Sequence, residues 1–306
     1  MSWETALDNW VREYLPDLRV ACEEPMSRHT SFRIGGPARR MAFPERAEQM
    51  VLLLERAREL NARPLVIGNG TNLLIPDEGL DRLVIVAAGL RKLEAGSEPH
   101  TILAEAGATL AQAADYACGL GLTGLEFAHG IPGTVGGGLC MNAGAYDGEM
   151  KQVVESVSLL FPGEGVRFLS GEDMAFGYRR SFLTDHREAV ALRAVFRLRP
   201  GDPEEIRRRM RELMAKRKAS QPLELPSAGS TFKRPEGHFA GTLIDQCGLK
   251  GLTVGGAQVS EKHGGFLVNR GGATFADVTE LIRQVQARVL AETGVRLEPE
   301  VRIIHS

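Results

Sequence analysis

The sequence predicts an α+β fold in more than one domain, and three observations predict it. Amphipathic segments with helical periodicity alternate with short apolar runs of strand character over 306 residues. Several early runs pass straight into glycine turns, a β-turn-helix rhythm compatible with α/β or α+β organisation. Further strands then gather late in the middle region, at 154–161, 165–170 and 189–200.

The elements follow in order. A first helix is expected from about residue 4 to 15, stopping at Pro16. "RHTSFRIGGPARRMAF" (28–43) reads as extended segments around a Gly-Gly-Pro turn. "AEQMVLLLERARELNA" (47–62) carries the apolar spacing of a helix. "PLVIGNG" (64–70) reads as a buried strand running into a glycine turn, and "RLVIVAA" (82–88) as another strand. "TLAQAADYACGLGL" (109–122) is a helix closed by glycines. "DPEEIRRRMRELMAKRKASQP" (202–222) is a long helix, acidic at its start and basic toward its end as the helix dipole favours, and a domain boundary is placed near its end. "AGTLIDQCGL" (240–249) follows as a helix, then "TFADVTELIRQVQARVLAETG" (274–294), with Thr274 as N-cap and Gly294 closing it.

Composition narrows the function. Apolar residues make up 43% and charged residues 25%, and the net charge is −2. That balance carries no electrostatic footprint for nucleic acid or an anionic membrane. No apolar run reaches the length of a membrane span, and the start of the chain lacks the basic and apolar regions of a signal peptide. A cytoplasmic protein is expected. Cys22, Cys118, Cys140 and Cys247 show neither CxxC nor metal spacing and read as reduced thiols. The histidines form no HExxH and no helical ligand pair, so no metal site is expected.

The densest stretch is "EFAHGIPGTVGGGLCMNAGAYDGEM" (126–150), with seven glycines. Glycine allows positive φ and lets a ligand lie on the backbone, where clustered amides bind anions. A second segment, "GNGTNLL" (68–74), follows an apolar strand. It is not a dinucleotide fingerprint, because Leu73 interrupts GxGxxG, and no GxxxxGK[ST] occurs anywhere. Either segment alone fits a tight turn. Together, interleaved with Thr71, Asn72, Thr134 and Asn142, they point to a large phosphate-bearing cofactor. His129 within the longer segment reads equally as a polar lining group or a turn residue.

Three further sites set polar groups among apolar ones. "FGYRRSF" (176–182) places two arginines between aromatics, suited to a carboxylate or phosphate and equally to an exposed basic turn. "PSAGSTFKRPEG" (226–237) holds Ser230 after a glycine, with Lys233 and Arg234 beyond; no GxSxG elbow marks a nucleophile, and a plain turn fits the pattern. In "LEPEVRII" (297–304), Glu300 and Arg302 would share a face of a strand, which also describes a weak surface ion pair.

Taken in order, "TSFRIGGPA", "VIGNGTNLL", "GLEFAHGIPGTVGGGLCMNAGAY", "YRRSF", "AGSTFKRPEG", "AGTLIDQCGLKG", "GGAQVSEKHGGFLVN" and "LEPEVRII" resemble the bacterial MurB family, the UDP-N-acetylenolpyruvoylglucosamine reductases, from about residue 27 to 304. The likeness is to the shorter, type II form, because little room for an insertion exists between Arg179 and the strand at 189–198. Arg234 stands where the longer form often carries asparagine.

The resemblance implies an FAD-binding domain of the vanillyl-alcohol oxidase (PCMH) type plus a C-terminal α/β substrate domain. The implied parts are a first FAD subdomain at 1–80 with the tail 298–306, a second at 81–200, and a substrate domain at 201–297. It implies non-covalent FAD, held by Gly68, Asn69, Gly70, Thr71 and Asn72 and by His129, Gly130, Ile131, Pro132, Gly133, Thr134, Gly136, Asn142, Gly144 and Ala145. It implies NADPH as co-substrate and a UDP-sugar enol ether as substrate, met by Tyr178, Lys218 at the basic end of the long helix (Lys216 to Lys218), Lys233 and Arg234. Ser230 resembles the family's proton donor, Glu300 the acidic group at the enolpyruvyl carboxylate, and Arg179 the third active-site residue. The readings that compete are another FAD-dependent oxidase or dehydrogenase of the same fold, and a non-catalytic nucleotide-sugar sensor. The sequence leaves the oligomeric state open.

Overall fold

Residues 2–305 are described by a computed structural model, and they form two compact units. The first comprises residues up to 22, 40–69 and 82–216; the second comprises 23–39, 70–81 and the chain from 217 onward. The contacts hand the chain from unit to unit several times before residue 217.

The helices are α1 (Trp3–Tyr14), α2 (Ala47–Glu59), α3 (Leu110–Gly119), α4 (Val135–Met141), α5 (Phe182–Asp185), α6 (Pro203–Ser220), α7 (Ala240–Gln246) and α8 (Phe275–Thr293). Helix α2 forms where the sequence repeats apolar residues at 50, 53, 54 and 57, and that stripe is its buried face. Helix α3 starts at a capping box: Thr109 Oγ1 accepts the Gln112 N–H at 3.1 Å, and Gln112 Oε1 accepts the Thr109 N–H at 2.9 Å. Helix α8 has the same device, with Thr274 and Asp277 exchanging bonds of 3.0 Å, and ends on Gly294 at φ 72°.

The first unit is built on a five-stranded antiparallel sheet. Its order is Gly165–Ser170, Val154–Phe161, Val190–Arg197, Thr101–Glu105 and Leu93–Ala95. Val157, Leu159 and Phe196 from this sheet share one core with Ala113 and Ala117 of α3 and Val135 and Leu139 of α4. A second core joins Leu7 and Val11 of α1 to Met50, Leu53 and Leu54 of α2. A four-stranded sheet runs in the order Arg19–Pro25, Pro37–Phe43, Leu80–Val86 and Leu65–Ile67; its last pair is parallel, with Leu65 opposite Val84. This parallel pair launches the segment that begins at Gly68.

The second unit has a four-stranded sheet, ordered Ser227–Ser230, Phe266–Asn269, Ala257–Val259 and Thr253–Val254. Leu243 and Ile244 of α7 and Val278, Leu281 and Val285 of α8 share a core with Leu267, Phe232 and three residues from early in the chain, Phe32, Ile34 and Leu74. Those three are at most 2% exposed. At about 1.5–3 kcal/mol for each large apolar side chain buried, the trio contributes on the scale of a whole domain's net stability.

Two sequence expectations need correcting. The glycine-rich stretch at 126–150 is not loop throughout, because "VGGGLCM" is helix α4. Its three glycines oppose helix formation by about 1 kcal/mol each. Burial of Val135 and Leu139 and the Thr134 N-cap, whose Oγ1 accepts the Gly137 N–H at 3.4 Å, overcome that. At the other end of the chain, the strand begins only at Arg302, so Glu300 and Arg302 do not share a strand face. Pro299 makes an isolated bridge to Phe232 instead.

Candidate active site

In the first unit, the two glycine-rich segments meet where Gly68 packs against Thr134. A Cβ on Gly68 would collide with the Thr134 hydroxyl, so the absence of a side chain here is a packing demand. Thr134 itself is buried and spends its oxygen on capping α4. Gly144 and Ala145 form a two-residue strand pair with Gly148 and Glu149, and Ile131 packs on the core. Gly130, Pro132 and Gly133 precede α4, and Gly136 lies within its first turn.

Two features of this segment have no internal explanation. Gly137 sits on the exposed face of α4, and a Cβ there would meet only the Thr134 Oγ1, at 3.7 Å. Nothing in the protein asks for glycine at that position. His129 has its Nδ1 buried without a hydrogen-bond partner, while Nε2 lies 3.4 Å from an Asp115 oxygen. A bare helix face and an unsatisfied imidazole nitrogen each suit a group bound from outside, and the donor set of amides, threonine and imidazole suits a phosphate-bearing cofactor. Gly137 escaped the sequence reading, and its signal was a helix glycine with no turn to serve.

Asn142 plays another part. It is 1% exposed and left-handed at φ 42°. Its Nδ2 donates to Glu149 Oε2 and to the Gly177 carbonyl, both at 3.0 Å, and its Oδ1 accepts the Lys151 N–H at 3.0 Å. Its side-chain amide is thus hydrogen-bonded within the protein through both Nδ2 and Oδ1.

Arg179 lies on a tight turn. Gly177 and Arg180 exchange backbone hydrogen bonds of 3.0 and 3.2 Å across it. Arg179 takes φ 54°, a conformation that costs an L-residue about 1–2 kcal/mol. Non-glycine residues held this way cluster at functional sites. The Arg179 guanidinium carbon stands 5.2 Å from the centre of the exposed Tyr178 ring.

The second unit carries both Ser230 and Glu300. Ser230 faces Phe266 in the sheet, after a register shift from Ser227 that re-aims it. Its hydroxyl donates to the Phe232 carbonyl at 3.2 Å. The preceding Gly229 is at φ 78°, and a Cβ there would enter open space. Thr231 then accepts the Glu300 N–H at 2.7 Å, and the Glu300 carbonyl accepts Asn72 Nδ2 at 3.2 Å. Asn72, the last residue of the shorter glycine segment, thus fixes the backbone of Glu300. Gly70 in that segment is left-handed at φ 60°, and a Cβ there would collide with the His29 carbonyl. Asn69 is exposed and Thr71 half-buried.

The expected substrate contacts are polar and accessible. Lys233 Nζ lies 3.3 Å from Glu298 Oε2, and the Arg234 guanidinium sits 4.0 Å over the exposed Phe239 ring. Lys216 and Lys218 are exposed on α6, with the Lys218 carbonyl capped by Lys262 Nζ at 2.6 Å. Near Ser230, His263 Nδ1 accepts the Gly265 N–H at 3.1 Å, and Gly265 in turn receives the Thr231 N–H at 2.8 Å. Burial pushes the His263 imidazolium toward losing its proton, in agreement with an acceptor Nδ1.

A mixed α+β unit with a bare, polar cradle, and a second unit in which the Glu300 backbone is anchored on Thr231, are the frame of a cofactor-dependent enzyme. Residues 38–168 match the FAD binding domain model, and residues 221–304 match the model of the UDP-N-acetylenolpyruvoylglucosamine reductase C-terminal domain. The fold is that of the vanillyl-alcohol oxidase flavoproteins; an alkyldihydroxyacetonephosphate synthase, 14% identical, matches it over 64% of this chain and 40% of its own with a TM-score of 0.50. The chain belongs to the UDP-N-acetylenolpyruvoylglucosamine reductase (MurB) family. It is 47% identical over 294 residues to such a reductase from Caldanaerobacter subterraneus, with 96% of each chain covered. It is 48% identical over 305 residues to another from Agathobacter rectalis, again with 96% of each covered. The crystal structure of the enzyme from Thermus caldophilus, 38% identical, matches 94% of this chain and 98% of its own with a TM-score of 0.78. Among the described residues, no helix is long and apolar enough to cross a membrane.

Proposed function

We propose that this chain is a cytoplasmic, NADPH-dependent reductase that converts the enolpyruvyl ether of UDP-N-acetylglucosamine enolpyruvate to UDP-N-acetylmuramate, a peptidoglycan precursor. The observation that carries the reading is the backbone bond from the Glu300 N–H to the Thr231 carbonyl at 2.7 Å, which anchors Glu300 beside the residue that follows Ser230, within a domain matched to this family. We assign FAD to the segments 68–72 and 129–145, the Asn142 side chain apart, with Gly137 as the bare face and His129 Nδ1 as a polar contact, and take 1–80 with 298–306, 81–200 and 201–297 as cofactor and substrate modules.

When bound, FAD supplies a hydride carrier that NADPH recharges. A hydride arriving at the terminal carbon of the enol ether pushes an electron pair onto the carbon next to the carboxylate. We assign Arg179 to balancing the charge that then spreads into the carboxylate, and Glu300 to the role of acidic partner. Ser230 gives its proton to that carbon, and solvent restores the hydroxyl. In this structure the Ser230 hydroxyl donates to the Phe232 carbonyl, so a hydroxyl rotation precedes transfer. Tyr178, Lys218, Lys233 and Arg234 are assigned to the UDP-sugar, with the two lysines and Arg234 matching its diphosphate in charge.

The test is an absorption spectrum. The protein should purify yellow, bleach with NADPH and regain colour with the enolpyruvyl UDP-sugar. Ser230→Ala should slow recolouring by about a hundred- to ten-thousandfold while bleaching stays near wild type. A colourless protein, or equal slowing of both steps, would overturn the assignment. Rapid oxygen consumption with an alcohol would favour an oxidase instead.

A further inference from the structure

We infer that the C-terminal end of α4 is a positioning device for Arg179, with Asn142 and Ser181 as its positioning residues. The inference rests on the role given to Arg179 above, and adds what holds that residue in place.

The turn from Gly177 to Arg180 carries Arg179 at its third position with φ 54°. That position of a tight turn favours glycine or asparagine, because a Cβ crowds the backbone there. An arginine in this state relaxes unless both ends of the turn are held. Both ends are held, and by the same three-residue stretch. On the leading side, the Gly177 carbonyl accepts Asn142 Nδ2 at 3.0 Å. On the trailing side, Ser181 Oγ donates to the Cys140 carbonyl at 2.9 Å.

The clamp is built to be rigid. Asn142 and Ser181 are each 1% exposed. Asn142 cannot flip its amide, since Nδ2 faces two oxygens and Oδ1 faces the Lys151 N–H. Its own left-handed backbone, at φ 42°, aims the side chain back across the end of α4. Ser181 also caps α5, its Oγ accepting the Leu183 N–H at 3.3 Å, so the trailing end of the turn is anchored to a second helix. The same short helix that presents Gly137 therefore fixes the backbone that presents Arg179, and the spacing between cofactor and arginine is set within one element. A purely structural pair of hydrogen bonds would not need to grip both sides of one strained residue.

The experiment compares Asn142→Gly, which keeps the left-handed backbone and removes the amide, with Ser181→Ala and Ser181→Thr, and uses Arg179→Ala as reference. Each FAD-loaded protein is followed through both half-reactions. Asn142→Gly should slow reoxidation by the enolpyruvyl UDP-sugar about a hundredfold, as a displacement of about 1 Å can do, with NADPH bleaching and FAD affinity close to wild type. Ser181→Ala should show the same split to a smaller degree, and Ser181→Thr, which keeps the hydroxyl, should restore the wild-type rate. In the Arg179→Ala background, Asn142→Gly should slow reoxidation no further, because it acts through that arginine. Without cofactor, amide exchange at Arg180, whose N–H closes the turn on Gly177, should quicken in Asn142→Gly. Equal loss in both half-reactions, full additivity with Arg179→Ala, or unchanged reoxidation in a protein where Arg179→Ala is slow would overturn the inference alone. Unchanged reoxidation in Arg179→Ala would overturn the role of Arg179 and the inference with it.

Discussion

The two glycine-rich segments look alike in sequence and differ in what their glycines answer to. At Gly70 the backbone is left-handed and a Cβ would drive into the His29 carbonyl. At Gly137 the backbone is helical and a Cβ would reach only an ordinary contact at 3.7 Å. The first glycine serves the protein's own packing; the second is a cost to its helix with no internal return. Composition alone cannot separate a tight turn from a ligand cradle, whereas the space left where each Cβ would stand can.

That contrast can be broken by substitution. Gly70→Ala should be the most damaging change, lowering unfolding stability by more than about 2 kcal/mol in urea titration, because it combines a left-handed alanine with a backbone collision. Wild-type stability in that variant would erase the distinction. Gly137→Ala should do the reverse in the apoprotein, raising stability by about 0.5–1 kcal/mol, while FAD affinity measured by flavin fluorescence falls. A stabilised variant with unchanged FAD affinity would remove Gly137 from the cofactor face. The smallest effect lies outside both segments and serves as a control. His263 has an ordinary value of 6.5 and is depressed on folding by burial. The unfolded chain therefore binds more protons just below pH 6.5, so stability is complete above that pH and declines as the pH falls toward the folded value. His263→Gln should flatten this limb, and an unchanged limb would assign it to another group.

The sequence revealed elements wherever local rules agree with the fold. The stripe of α2, the charge gradient of α6 and the Thr274 and Gly294 caps of α8 lie where periodicity and capping place them. It concealed α4, because three glycines in seven residues defeat propensity, and buried Val135 and Leu139 with the Thr134 cap hold the helix. Glu300 was recognisable from its motif, but its anchoring was not: the Thr231 and Asn72 contacts join residues 69 and 228 positions apart. The bracing role of Asn142 was hidden for the same reason. Its neighbours in sequence advertise a loop, and its partner Gly177 lies 35 residues away.

The early residues buried in the second unit constrain how the molecule is made. Phe32, Ile34 and Leu74 find their neighbours in Leu267, Leu281 and Val301. During translation these side chains emerge long before the partners that will cover them. For most of synthesis they offer sticky surface to chaperones or to other nascent chains, and the late module cannot close until nearly the whole polypeptide has left the ribosome. A gene fragment starting at residue 217 would encode a body lacking part of its own interior.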